Sequence, residues 1–180
     1  ELRRELKNLY RDYLAKEKSK LVSALKPTDY AILNYDDPMV YNMKDKTKAK
    51  IMSYGFTHHL SNINNNAAVF KNQFLKGEGF TDATAVRLSN FDFRFDDNQE
   101  PIGVGFKLNQ GAHTFVPVTL HGVLGRSQAL AAGAAACVGA IYGMNLIEIS
   151  QALANYKGPN GRLKILKGIK NSIIIDDTYN

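Results

Sequence analysis

Leucine and tyrosine recur at steps of three and four positions from Leu2 to Leu25, with charged residues between them. This spacing places the apolar side chains on one face of a helix and the charged side chains on the other. Pro27 follows, and a proline disfavours helical backbone angles in the residue before it. The pattern therefore predicts one amphipathic helix that ends before Pro27.

A strand, a short helix and a second strand are predicted in close succession after this helix. The segment YAILN from Tyr30 to Asn34 and the segment AKIMSYGF that ends at Phe56 are short apolar runs typical of buried strands. Between them, Asp37 is typical of a helix N-cap and Pro38 of a first helical turn. This order of elements predicts a parallel α/β unit.

The hydrophobic pattern becomes one of short alternating segments between residues 58 and 120. The runs TAVRLSNFDFRF, IGVGFKL and TFVPVTL alternate apolar and polar residues, and turns rich in Gly, Asn and Asp separate them. Alternation with such turns is typical of antiparallel hairpins. We predict an antiparallel sheet over 58–120, as a subregion of one domain that spans 1–180.

Helical spacing returns after Gly125 and predicts helices over 127–143 and about 146–156, with Gly143 ending the first. The uncharged stretch ALAAGAAACVGAIYGMNLI, over 129–147, has about the length of a membrane span. Alanine and glycine contribute little transfer free energy, however, and small side chains let a helix lie close to a sheet. We interpret this stretch as a buried core helix and expect no membrane span.

Two further strands are predicted at the end of the chain, over 162–169 and 172–177. Three consecutive isoleucines in the second are typical of a strand buried on both faces. Asp176 and Asp177 follow at its carboxyl end, where open α/β sheets bind ligands, although a solvated turn gives the same pattern. The whole pattern predicts an α/β fold, with a mostly parallel sheet flanked by helices and a small antiparallel insertion.

Composition favours an anionic partner, which could be nucleic acid, acidic lipid or a small phosphorylated ligand, although a solvated basic surface gives the same composition. A chain of 180 residues has room for one substantial core, and its net charge of +6 favours anionic partners. Basic and acidic residues are interleaved rather than segregated, which disfavours a nucleic-acid groove. Cys137 is the single cysteine, so an internal disulfide is excluded and a reducing compartment is favoured. Its alanine-rich surroundings indicate a buried, unreactive thiol.

Few residues indicate a catalytic or binding role when they are considered by themselves. Arg162 follows a Gly-Pro-Asn-Gly loop, where a rigidly held guanidinium could bind a phosphate, although an exposed arginine at a strand start is the alternative. Lys18 lies among charges that suit the C-terminal half of a helix. The phosphate-binding pattern G-x-x-x-x-G-K-[ST] does not occur. The residues alone thus indicate at most part of a nucleotide site.

Six segments, in this order and spacing, resemble the Mur ligases, the ATP-dependent amide-forming enzymes of peptidoglycan synthesis. They are EKSKLVSAL, YAILNYDDPMV, YGF, VLGRSQALAAGAAACVGAIYGMNLIEISQAL, GRLKIL and IIIDDTYN. The resemblance extends from about Tyr13 to Asn180 and corresponds to the C-terminal part of the family's central domain. The closing D-D-[ST]-Y-N is similar to the branch that adds D-alanyl-D-alanine to UDP-N-acetylmuramoyl-tripeptide.

The resemblance implies a cytoplasmic enzyme that uses ATP and Mg²⁺. In the family, ATP phosphorylates the substrate carboxylate, and the dipeptide amine then attacks the acyl phosphate. Lys18 matches a lysine that is carbamylated to help bind magnesium, and Arg162 matches the arginine that contacts the ATP γ-phosphate. The resemblance implies that Lys18 and Arg162 are both catalytic residues. Asp177 matches the aspartate that binds the ATP ribose, and the implied partners are small-molecule substrates.

The chain departs from the family pattern where adenine is bound. Ser127 and Gln128 replace a His-Asn pair and Ala131 replaces a second asparagine, which leaves the amide of Gln128 as the predicted adenine contact. The family's phosphate loop and substrate domain precede the position of Glu1, and its C-terminal domain follows Asn180. We therefore expect a part of a ligase that is inactive by itself. Two alternatives remain open: a non-catalytic binding or scaffolding module with this fold, and a ligase of another Mur branch.

Overall fold

The structure is a computed structural model, and it describes residues 2–56, 85–110 and 115–179. Helix α1 covers Leu2–Ser23 and ends before Pro27, as predicted. Its C-terminal half packs through Ala15 and Val22 against a small core around the first strand. Three apolar side chains nearer its N-terminus, Leu6, Leu9 and Tyr10, are exposed. Leu14 and Leu21 are exposed as well. The amphipathic pattern thus predicts the helix, but within the described residues only part of its apolar face is buried.

A five-stranded sheet forms the centre of the fold. Its strands, adjacent in this order, are β1 Tyr30–Asn34, β2 Lys50–Phe56, β3 Ala85–Phe95, β4 Pro101–Asn109 and β5 Phe115–His121. The first three strands are parallel, and β4 and β5 extend the same sheet as antiparallel neighbours. The predicted antiparallel strands are thus continuous with the parallel ones.

The connection between β1 and β2 has the predicted strand–helix–strand order. It contains helix α2, Pro38–Tyr41, and a 3₁₀ helix, Asn42–Lys46. Asp37 is the N-cap of α2, because its carboxylate accepts hydrogen bonds from the backbone N–H groups of Met39 and Val40. The parallel pairing of β1 with β2 confirms the predicted α/β unit.

Helix α3, Arg126–Ile141, packs across β2 and β3, and helix α4, Leu146–Ala154, packs against β5. At Gly133 of α3 a Cβ atom would lie 2.8 Å from the Leu88 side chain, so the helix and the sheet approach more closely than a larger residue allows. The prediction that small residues serve a buried core helix is confirmed. None of the helices within the described residues has the length and hydropathy to cross a bilayer.

Cys137 lies on the face of α3 that is turned to the sheet and is fully buried. Its thiol donates a hydrogen bond to the backbone carbonyl of Ser53, at 3.5 Å. Burial raises the pKa of the thiol to about 12, against a smaller lowering by a backbone hydrogen bond at Val86. The predicted burial of the thiol is therefore confirmed, and its low reactivity remains a prediction.

The last two strands form a separate antiparallel pair, β6 Lys164–Lys167 and β7 Ile173–Asp176. The prediction that the isoleucine strand is buried on both faces is wrong, because Ile174 and Ile175 are 50% and 53% exposed. A two-stranded ribbon has no layers above and below to bury such side chains. The strand is also outside the five-stranded sheet, so its carboxyl end is not an end of that sheet.

Backbone hydrogen bonds attach this ribbon to the segment between β5 and α3. The N–H of Leu124 donates to the carbonyl of Leu163 at 2.8 Å, and the N–H of Ile165 donates to the carbonyl of Gly122 at 2.9 Å. Arg162 directly precedes Leu163, so these bonds place it beside the segment that leads into α3.

The α/β class is confirmed: a mixed five-stranded sheet is flanked by helices, with a small separate two-stranded sheet. Strands β3 and β4 lie within the predicted antiparallel subregion at 58–120, and β5 extends one residue beyond it. Residues 58–84 and 111–114 of that region lie outside the described residues. The domain bounds 1–180 and 58–120 remain predictions.

Candidate functional site

The first turn of α3 lies at the carboxyl end of β2. The guanidinium of Arg126, the first residue of α3, stacks 3.8 Å from the ring centroid of Phe56, the last residue of β2. Open α/β sheets bind their ligands at this edge, where the carboxyl ends of parallel strands meet helix N-termini. Helix α3 therefore brings its first residues to the edge at which ligand binding is expected.

Gln128, in the same turn, is buried and joins two other parts of the chain. Its Nε2 donates to the backbone carbonyl of Arg162 at 2.9 Å. Its Oε1 accepts a hydrogen bond from the hydroxyl of Tyr156 at 3.2 Å. Because both ends of the amide are engaged within the protein, Gln128 fixes the backbone at Arg162 against α3.

A second attachment joins Gly161 to the exit of β7. The Asp176 carboxylate accepts hydrogen bonds from the Thr178 hydroxyl at 2.7 Å and from the Gly161 N–H at 2.9 Å. These bonds, that of Thr178 first, lower the pKa of Asp176. Gly161 in turn accepts a bond from the N–H of Tyr179 at 3.1 Å, so the two segments are joined in both directions.

The close approach of these segments requires a glycine at position 161. Its φ is +74°, which an L side chain rarely adopts, and a Cβ atom there would lie 2.9 Å from the backbone nitrogen of Tyr179. We refer to the contacts among Gln128, Gly161, Arg162 and residues 176–179 as the Arg162 junction.

Arg162 has its side chain at this junction, and Asp177 directly follows Asp176 in the chain. The guanidinium of Arg162 stacks on the ring of Tyr179, 3.6 Å from its centroid. Neither Arg162 nor Asp177 forms a side-chain hydrogen bond or ion pair with any residue in the described ranges, and both are exposed. A guanidinium can bind phosphate oxygens in a fork, and a carboxylate can accept hydrogen bonds from sugar hydroxyls.

Three of the four predicted site residues therefore come together. Gln128 is hydrogen-bonded to Arg162, and Asp177 follows Asp176, which is bonded to the neighbour of Arg162. The orientation of the Gln128 amide is set inside the protein, so its predicted contact with adenine stays a prediction. The roles predicted for Arg162 and Asp177 also remain predictions.

Lys18 is the fourth, and no described contact links it to the other three. It lies on the exposed face of α1, one residue before Ser19, whose hydroxyl donates to the carbonyl of Lys16. A surface pocket of about 360 Å³ lies near the end of α1, but Lys18 does not line it. Within the described ranges, no three His, Cys, Asp or Glu side chains are grouped as a metal site.

Sequence reasoning did not identify the contacts of Tyr156 and Tyr179. Tyr179 stands in the DDTYN segment, but nothing in the sequence indicates that its ring meets Arg162. Gly161 carried a local signal, because Asn-Gly dipeptides are typical of turns with positive φ. The partner of Tyr156 is 28 positions away in sequence and could not be read from local spacing.

Comparison with known proteins agrees with the resemblance. The Mur ligase middle domain family matches residues 10–91. No curated protein sequence is significantly similar to the chain.

Solved structures with this fold include the UDP-N-acetylmuramoylalanyl-D-glutamyl-2,6-diaminopimelate–D-alanyl-D-alanyl ligase from Acinetobacter baumannii, at 22% identity and a TM-score of 0.65. Two crystal structures of MurF from the same organism match at 23% identity and the same TM-score. Each alignment covers 94% of this chain and 30% of the matched chain. The family match over residues 10–91 and the shared fold confirm that this chain resembles the Mur ligase middle domain.

Proposed function

We propose that the full-length protein is an ATP-dependent ligase of peptidoglycan precursor synthesis, acting in the cytoplasm. It adds D-alanyl-D-alanine to UDP-N-acetylmuramoyl-tripeptide. The observation that carries the proposal is the Arg162 junction, where Gln128 of α3 holds the backbone of Arg162, its guanidinium stacks on Tyr179, and the exposed Asp177 follows Asp176. The solved ligases with the same fold support the choice of reaction.

The residues at the junction fit the phosphate and the ribose of a nucleotide. Arg162 would bind the terminal phosphate and neutralise charge that develops on its oxygens, which is the main way such transfers are accelerated. Asp177 would accept hydrogen bonds from the ribose hydroxyls and set the distance between the sugar and Arg162. The nucleotide supplies the phosphoryl group that activates the substrate carboxylate.

The fit to Mg²⁺ is poorer, because the described residues contain no cluster of carboxylate ligands. Lys18 would become an oxygen ligand only after carbamylation converts its amine to an anion. We therefore assign no step of the reaction to a metal held by the described residues. The carbamylation of Lys18 remains part of the proposal, and it rests on the resemblance alone.

The test uses the full-length protein with ATP, D-alanyl-D-alanine and UDP-N-acetylmuramoyl-tripeptide, and it measures the ligated product by mass spectrometry together with ADP release. Arg162→Ala should lower kcat/KM by roughly 30- to 1000-fold, which corresponds to about 2–4 kcal/mol of lost charged contacts. Arg94→Ala is the matched control, because Arg94 is an exposed arginine on β3 that pairs with Asp92.

Each alternative has its own outcome in this assay. Wild-type protein that makes no product with any amine substrate contradicts the ligase and supports a non-catalytic module with this fold. A product that forms with a different amino acid, but not with D-alanyl-D-alanine, identifies another Mur branch. Equal activity of Arg162→Ala and Arg94→Ala contradicts the role assigned to Arg162.

A further inference from the structure

We propose that Tyr179 is a positioning residue, whose ring holds the guanidinium of Arg162 in the orientation that binds phosphate. The inference rests on the proposed function, because it assigns Tyr179 a part in the same site. The contact that carries it is the stacking of the guanidinium on the Tyr179 ring, at 3.6 Å from the centroid.

An exposed arginine without such a contact samples many rotamers, and few of them direct its N–H groups to one point. Stacking on an aromatic face restricts this freedom through a cation–π interaction. All N–H groups of a guanidinium lie in its plane, so a partner on one face leaves the fork at the edge open. The ring of Tyr179 can therefore orient Arg162 without competing with a phosphate for its donors.

The ring can serve this purpose only if its own backbone is fixed. The N–H of Tyr179 donates to the carbonyl of Gly161, the residue directly before Arg162. Asp176 holds the same glycine from the other side through its N–H, at 2.9 Å. The ring and the arginine are thus attached to one short piece of backbone.

The backbone of Arg162 has its own support, which does not involve Tyr179. Gln128 donates to its carbonyl at 2.9 Å. Replacement of the Tyr179 ring should therefore release the guanidinium while the main chain at Arg162 stays in place. This separation makes the positioning role testable by side-chain substitution.

The experiment compares three variants of the full-length protein: Tyr179→Leu, Tyr179→Phe and Tyr142→Leu. Tyr179→Leu removes the ring, and Tyr179→Phe keeps the ring without its hydroxyl. Tyr142→Leu is the control, since Tyr142 is 83% exposed and has no described side-chain contact. Tyr179 is itself 65% exposed, so its replacement is expected to leave the fold intact, and a circular dichroism spectrum checks this.

The structural readout is the NMR signal of the Arg162 Nε–H group in protein with labelled arginine, assigned through Arg162→Lys. We expect a ring-current shift in the wild type and in Tyr179→Phe, and its loss in Tyr179→Leu alone. The functional readout is steady-state ligation. We expect kcat to fall about tenfold in Tyr179→Leu, with rescue in Tyr179→Phe and little change in KM for the dipeptide.

The outcomes separate this inference from the function on which it rests. Wild-type protein without ATP-dependent ligation would refute the proposed function, and the positioning role with it. An active wild type for which Tyr179→Leu and Tyr142→Leu have the same kcat would refute the positioning role alone. Activity lost equally in the Leu and Phe variants would also refute it, because the hydroxyl rather than the ring would then matter.

Discussion

Replacement of Gln128 by leucine tests the bond that holds the candidate site together. Leucine has nearly the volume of glutamine, so Gln128→Leu removes the amide while it fills the same buried space. Two groups lose their partner: the carbonyl of Arg162, at 2.9 Å, and the hydroxyl of Tyr156, at 3.2 Å.

The expected cost follows from the burial of these two groups. A net hydrogen bond contributes about 1 kcal/mol to stability, and a buried group left without a partner costs about 1–3 kcal/mol. Arg162 is exposed and Tyr156 is only partly buried, so water can replace part of the hydrogen bonding that the amide of Gln128 provided. We therefore expect the free energy of unfolding to fall by about 1–3 kcal/mol in total.

Urea denaturation, followed by far-UV circular dichroism, measures this loss. With a slope of about 2 kcal/mol per M, the midpoint should shift by roughly 0.5–1.5 M without a change in slope. Gln151→Leu is the matched control, because Gln151 is an exposed glutamine in α4. If both variants have the same midpoint, the amide of Gln128 does not support the fold as described.

Nucleotide preference separates this role of Gln128 from adenine recognition. If the amide only holds the Arg162 backbone, Gln128→Leu should lower kcat with ATP and with GTP by a similar factor. A selective loss of activity with ATP would indicate that the amide contacts adenine, as the resemblance implies, and would refute a purely supporting role.

Two further predictions concern titratable groups. The pKa of Asp176 is lowered from 3.8 in the fold, so its carboxylate stabilises the folded state above that value, and this contribution is lost as the pH falls through the lowered pKa. Asp176→Asn should therefore lower the urea midpoint at about pH 7, and the difference from the wild type should shrink as the pH falls through the lowered pKa. A difference that does not change with pH would contradict the assignment. The Cys137 thiol, with a pKa of about 12, should react with a thiol-specific disulfide reagent only after denaturation, and rapid labelling of the native protein would contradict its burial.

Local sequence patterns were sufficient to predict most of the helices and strands. The bounds of β1 and the N-cap Asp37 agree with the prediction, because a strand edge and a helix start depend on a few adjacent residues. The small residues of α3 also predicted its close approach to the sheet at Gly133, since the absence of side-chain volume is visible in the sequence itself.

The isoleucine strand shows where such patterns fail. A run of apolar residues indicates that burial would be favourable, but it does not supply the layers that would cover them. In the structure β7 pairs only with β6, and Ile174 and Ile175 remain half exposed. Which strand pairs with which is a long-range property, and hydropathy along the chain does not encode it.

The amino-acid sequence by itself determined the helices and strands, the α/β class, the buried Cys137 and the choice of Arg162 and Asp177 as candidates. Only the tertiary structure decided that Gln128 supports Arg162 from α3 and that Tyr179 stacks on its guanidinium. The physical reason is distance along the chain: Gln128 and Arg162 are 34 positions apart, and chain folding alone brings an amide and a carbonyl so separated within hydrogen-bonding range.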